Sequence, residues 1–113
     1  MEYVIDAKNK RLGRLDSEIA VILKGKKNAD YVPNKIGNDR VVVKNVSQLS
    51  MDASKMKKDM RYRHTGYMGH LREKTLEQRW ARSPERVLRE TVENMLPRNF
   101  IRAKRLNMLK IEK

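Results

Sequence analysis

The stretch "YRHTGYMGH", Tyr62–His70, gathers both histidines of the chain, two of its four tyrosines and two of its five glycines. Three chemistries are open to such a set. Histidine can serve as base to a nucleophile, or a pair of histidines can hold a metal. Alternatively, histidine, tyrosine and the backbone N–H groups that glycine leaves accessible can contact a nucleic acid.

Nucleophilic catalysis needs an activated Ser, Cys or Lys beside an oriented base. The chain has no cysteine and no G-x-S-x-G elbow. "LKGKKNAD" (Leu23–Asp30) has too few glycines for a Walker loop and no Ser or Thr after its lysines. "LGRLDSEIA" (Leu12–Ala20) lacks the glycine spacing of a dinucleotide fingerprint. For a metal, His64 and His70 stand six residues apart among Arg and Lys, which oppose a dication, with only Asp59 and Glu73 close by. Neither an enzyme, a small-molecule substrate, a metal nor a cofactor is expected.

Binding accounts better for the same residues. Lys and Arg number 27 against 14 Asp and Glu, a net charge of +13 on 113 residues. A field of that size on one domain favours a polyanion. The charge is also uneven. Residues 1–50 carry net +4 and residues 51–113 net +9. Within the second part, Thr75–Leu96 is balanced, with Arg79, Arg82, Arg86 and Arg89 set against Glu77, Glu85, Glu90 and Glu93. The excess lies in two flanking blocks, Lys55–Lys74 and Arg98–Lys113. One-signed blocks of this kind read as contact surfaces, since a merely soluble surface mixes signs. Within these blocks the candidate RNA ligands are Lys55, Lys57, Lys58, Arg61 and Arg63, then Arg98, Arg102, Lys104 and Arg105, and Lys27 and Lys35 outside them are further RNA candidates. A membrane partner is not expected: the longest unbroken apolar run, "IAVIL" (Ile19–Leu23), has five residues where a spanning helix needs about twenty. No secretory leader is expected ahead of the first strand-like segment.

The elements that must position these groups follow from pattern. "EYVIDA" (Glu2–Ala7) reads as a strand with a buried centre. Leu12, Leu15, Ile19, Ile22 and Leu23 have helical spacing, with Lys24 in the last turn and Gly25 at the C-terminus. A loop with Pro33 and Gly37 leads to "RVVVKNV" (Arg40–Val46), a continuous apolar run that fits a strand covered on both faces. Together they make a right-handed βαβ unit. Residues 50–60 have no clean period and read as an exposed basic loop. "MRYRH" (Met60–His64) alternates, with Arg61 and Arg63 on one face of a strand, and "TGYMGHLRE" reads as a glycine-punctuated turn region. Thr75 and Gln78 form a capping box for a short helix. Ser83 and Pro84 open the clearest helix, which buries Val87, Leu88, Thr91, Val92, Met95 and Leu96 and ends at Pro97. "RNFIRAKRLNML" is basic and weakly periodic, and "LKIEK" closes as a last strand. The order implies one domain, 1–113: a small three-layer α/β/α domain with a mostly parallel central sheet of about four strands.

Several of these segments, in this order, resemble the large-subunit ribosomal protein thirteen family of bacterial type. They are "YVIDAKNKRLGRLDSEIAVILKGK", the Tyr and Pro of "DYVPN", "VVVKNV", "HTGYMGHL", "RSPERVLRETVENMLPRN" and "RLNMLKI". The match runs from about Tyr3 to Ile111. The chain departs from the family pattern at Glu2, where Trp is common, at "GND" (Gly37–Asp39), and in the 50–60 loop. The resemblance implies the α/β/α fold, binding to the ribosomal RNA of the large subunit, support of its early assembly, and neighbouring ribosomal proteins as partners in the cytoplasm. It implies no catalysis. Residue by residue it extends to Lys24, Lys26, His64, Thr65, Gly66, Tyr67 and Gly69, and to Pro97 with Arg98 after it; His70 joins them as an RNA candidate by position.

Rival readings have their own signatures. A free-standing basic nucleic-acid-binding domain would show a recognition helix with exposed base-reading side chains, whereas the clearest helix here is charge-balanced. A peripheral membrane protein would need a basic amphipathic helix with an apolar face left for lipid.

Overall fold

Strand β1 (Glu2–Asp6) lies parallel to β2 (Arg40–Lys44), with Val4 opposite Val42, and β2 lies parallel to β5 (Leu109–Ile111). The sheet order is β1-β2-β5 in this computed structural model, which describes residues 1–113. Helix α1 (Leu12–Lys24) connects the first pair. Its spacing buries Leu12, Leu15, Ile19, Ile22 and Leu23, and Gly25 closes it in the left-handed region at φ 79°, its N–H donating to Ile22 O. Glycine enters that conformation with no Cβ penalty.

The second crossover holds α2 (Ala53–Lys58), β3 (Met60–His64), β4 (Leu71–Thr75), α3 (Leu76–Arg82), α4 (Pro84–Met95) and α5 (Arg102–Leu106). The capping box at Thr75 forms with both of its hydrogen bonds, and the Ser83 hydroxyl accepts from the Arg86 N–H with Pro84 in the first turn. Helix α4 buries Val87, Leu88 and Val92, and its C-terminal neighbour Leu96 is buried too. Thr91 and Met95, expected on that face, are only half-buried; the Thr91 hydroxyl donates to Val87 O at 2.8 Å. These side chains join Ile5, Val41 and Val43 in one core with α1.

The α/β class and the parallel sheet are as expected, but the layering is simpler. The sheet has three strands rather than about four. Both crossovers step in the same direction across it, so right-handed connections place α1 and the later helices on a single face. The other face carries exposed Glu2, Val4, Asp6, Arg40, Lys44 and Lys110. Val42 is nonetheless buried there, flanked by Val4 and Lys110.

Two local expectations change. The 50–60 segment contains the short helix α2, held by half-buried Met56 against the core. One apolar anchor in a run of good helix formers leaves no visible period. The glycine-rich "turn region" includes a full strand, β4, paired antiparallel with β3 in a separate two-stranded sheet. Its sequence, "LREKT", lacks an apolar face because neither side of this hairpin reaches the core.

Candidate nucleic-acid interface

Every residue from Arg61 to Lys74 is exposed. The hairpin is fixed only at its base, where Met60 and Thr75 are half-buried, Leu76 is buried, and the Leu76 N–H donates to Asp59 O at 2.9 Å. The arm gives the molecule extents of 50 × 34 × 19 Å and a radius of gyration of 15.6 Å, against about 13 Å for a compact domain of this length.

The register sorts the side chains. Arg61 pairs with Lys74 and Arg63 with Arg72, so four cations occupy one face in two directly opposed pairs. Like charges opposite one another destabilise a strand pair. No ion pair relieves any of the four. Arg61, Arg63 and Lys74 line a groove whose other wall is α3 and α4, with Arg82, Arg86 and Asn94 among its residues. Acids line the same wall, but they are committed. Glu90 meets both Arg79 (3.5 Å) and Arg86 (3.3 Å), and Glu93 meets Arg102 at 3.2 Å. Arg79 also reaches Asp59 at 3.9 Å, which ties the base of the hairpin to α4. The free charge of the groove is therefore cationic and sits chiefly on the hairpin wall.

At the tip, Gly66 (φ 90°) and Gly69 (φ 77°) take left-handed conformations that allow the reversal. His64 Nδ1 accepts the Gly66 N–H at 3.0 Å, and the Thr65 N–H donates to His70 O at 3.3 Å. The Tyr67 and His70 rings meet edge to face, with centroids 6.4 Å apart. One nitrogen of His64 is thus engaged in shaping the turn, and this geometry contains no nucleophile–base pair. No group of three or more His, Asp or Glu side chains is placed to hold a metal.

The hairpin brings together Arg61, Arg63, His64, Thr65, Gly66, Tyr67, Gly69 and His70 from the sequence candidates. Lys55, Lys57 and Lys58 are exposed on α2, just before it in the chain. Lys24 is half-buried at the end of α1, and Lys26, Lys27 and Lys35 are exposed beyond it, with the Lys27 ammonium 5.4 Å from the centre of the Tyr3 ring. Arg98 and Lys104 are exposed, whereas Arg102 is half-buried and paired with Glu93. Arg105 requires correction. Its side chain is 1% exposed and its Nη2 donates to Pro33 O (3.1 Å) and Lys35 O (3.3 Å), so it braces the loop before β2 and cannot meet a phosphate. Sequence reasoning left out Arg72, Lys74 and Arg82. The signal for the first two was available: alternation continues past the Gly66–Gly69 reversal, which puts them across from Arg63 and Arg61.

Buried Asp16 on α1 is the other unusual charge. Neither carboxylate oxygen has a hydrogen-bond partner, and burial raises its pKa from 3.8 to about 7, opposed by nearby Lys55.

Comparison with known proteins bears on this surface. A family model described as ribosomal protein L13 matches residues 1–112. The large ribosomal subunit protein uL13 of Hahella chejuensis is 42% identical over 109 residues, covering 96% of this chain and 77% of the relative. Relatives of the same name from Thermosynechococcus vestitus and Chloroflexus aggregans are 40% and 39% identical over 96% of this chain, covering 72% and 76% of their own lengths.

Proposed function

Because the chain belongs to the ribosomal protein L13 family, we propose that it is a structural constituent of the large ribosomal subunit that binds large-subunit rRNA and supports early assembly of that subunit. The family is one of ribosomal components, not of enzymes. The site of action is the cytoplasmic ribosome, beside neighbouring large-subunit proteins. No helix is long and apolar enough to cross a membrane.

One observation carries the RNA reading: a solvent-projecting hairpin holds two directly opposed cation pairs with no acid to neutralise them. Such an arrangement opposes folding on its own and becomes favourable when phosphates cover it. The tip adds backbone N–H groups at glycine and exposed imidazole and phenol rings, which suit ribose and base contacts. Lys57 and Lys58 on α2 and Lys26, Lys27 and Lys35 beyond α1 extend the positive surface.

The test is sedimentation of a tagged full-length chain through a sucrose gradient of cell lysate. Co-migration with large subunits and their precursors is expected. Migration in free fractions, with RNA binding retained in vitro, would replace this reading with a nucleic-acid-binding domain that acts off the ribosome.

A further inference from the structure

The two faces of the hairpin differ in kind. The face toward the α3–α4 groove is cationic. The opposite face presents Tyr62, His64 and Leu71, with Glu73 across from Tyr62 as its one acid. Tyr62 is 62% exposed and Leu71 55%, and at the tip Tyr67 is 75% and Met68 98% exposed. None of these four packs against the core. The Tyr67 hydroxyl has no hydrogen-bond partner, and that of Tyr62 reaches only the Met60 sulfur at 4.0 Å. Four large apolar side chains on a solvent-projecting arm do nothing for the fold and mark a contact surface.

Charge decides what covers it. Arg63 and Arg72 flank these side chains within the same strands, and the two histidines border the tip. These arginines point to the opposite face, so a single partner wrapping the arm meets them too, and an apolar protein surface would leave them desolvated and unpaired. RNA offers phosphates to the cations and flat faces to the rings, and a base face is accessible only where it is not paired and stacked within a duplex. Continuity with the cationic face points to the same occupant.

We propose that RNA covers both faces of the hairpin, with a phosphate backbone along Arg61, Arg63, Arg72 and Lys74 and unpaired bases stacked on Tyr62 and Tyr67. This rests on the RNA reading above and adds a selection for unpaired nucleotides beside a phosphate track.

The experiment uses the full chain and two RNAs of equal length and charge. One is fully paired; the other carries a short internal loop with a 2-aminopurine. The parent binds the looped RNA about tenfold more tightly and quenches the 2-aminopurine, as one stacked base requires. Tyr67→Ala and Tyr62→Ala shrink that preference with the salt slope unchanged, and Tyr67→Phe keeps it because the ring remains. Equal affinity of the parent for both RNAs overturns the proposal, as does a preference that survives the double alanine variant. So does loss of contact with another subunit protein in the tyrosine variants while RNA preference stays intact, which would assign this face to protein. If instead Arg61→Ala, Arg63→Ala and Lys74→Ala together leave affinity for both RNAs unchanged, the cationic-face reading itself falls, whatever the tyrosines do.

Discussion

Arg61 stands directly opposite Lys74 across the β3–β4 hairpin, one like-charged pair beside a second, Arg63 and Arg72. In the free protein this pairing is a cost. Lys74→Glu converts it to an opposite-charge pair and is expected to stabilise the free chain by about 0.2–1 kcal/mol. The same change sets a carboxylate among the hairpin cations and is expected to weaken RNA binding. Urea denaturation and RNA titration of the one variant should therefore move in opposite directions. A variant that is both less stable and equally tight would show that the opposed cations are neither strained nor in contact with RNA.

Arg105 tests the division between binding and bracing. Arg105→Ala removes the donor to Pro33 O and Lys35 O and is expected to cost about 2–3 kcal/mol of stability. Neighbouring Lys104, exposed and unpaired, should cost under about 0.5 kcal/mol as Lys104→Ala. Equal, small losses on urea denaturation would mean that the buried guanidinium is not a brace.

Asp16 gives a pH prediction. Its carboxyl titrates near 3.8 in the unfolded chain and is raised to about 7 in the folded one, first by burial. Between those values the folded state holds a proton that the unfolded state has released. The associated stability is therefore fully present below about pH 4 and is lost as pH rises to about 7. Asp16→Asn should abolish this dependence. Its advantage over the parent should grow on the order of 2 kcal/mol between pH 5 and pH 8. Denaturation of both proteins at the two pH values measures it, and an advantage independent of pH would refute the assignment.

Helix α4 is scaffold. Leu88 is fully buried in the core that α4 shares with α1, and Leu88→Ala is expected to cost about 2–5 kcal/mol. Arg86→Ala removes only an exposed i,i+4 pair with Glu90 and should cost well under about 1 kcal/mol. Comparable losses from the two, followed by thermal melting, would mean that the face has been misread.

What could be read from the sequence was whatever faces the core. Leu15, Ile19 and Ile22 give α1 its period, Val41–Val43 give β2, and Ser83-Pro84 with Val87, Leu88 and Val92 give α4, because burial writes periodicity into residue type. Strand β4 was hidden for the converse reason: Leu71–Lys74 touch solvent on both faces, so nothing apolar marks alternate positions. Arg72 and Lys74 stayed out of the candidate set with it. Arg105 shows the same boundary from the other side. Its type says surface, and only the carbonyls of Pro33 and Lys35, some seventy residues away in the chain, draw it inward. The helices on a single sheet face follow from strand order, which no local pattern encodes.

If the hairpin cations grip RNA phosphates, they set the salt dependence of binding. Affinity of the parent and of the triple variant Arg61→Ala, Arg63→Ala, Lys74→Ala for large-subunit rRNA fragments is measured across a salt series. Each neutralised phosphate contributes about one unit to the slope of log affinity against log salt. The triple variant is expected to show a slope shallower by about three units and clearly weaker binding at physiological salt, with an unchanged circular dichroism spectrum. A triple variant with the parent's slope and affinity would contradict it and move the RNA surface away from the hairpin.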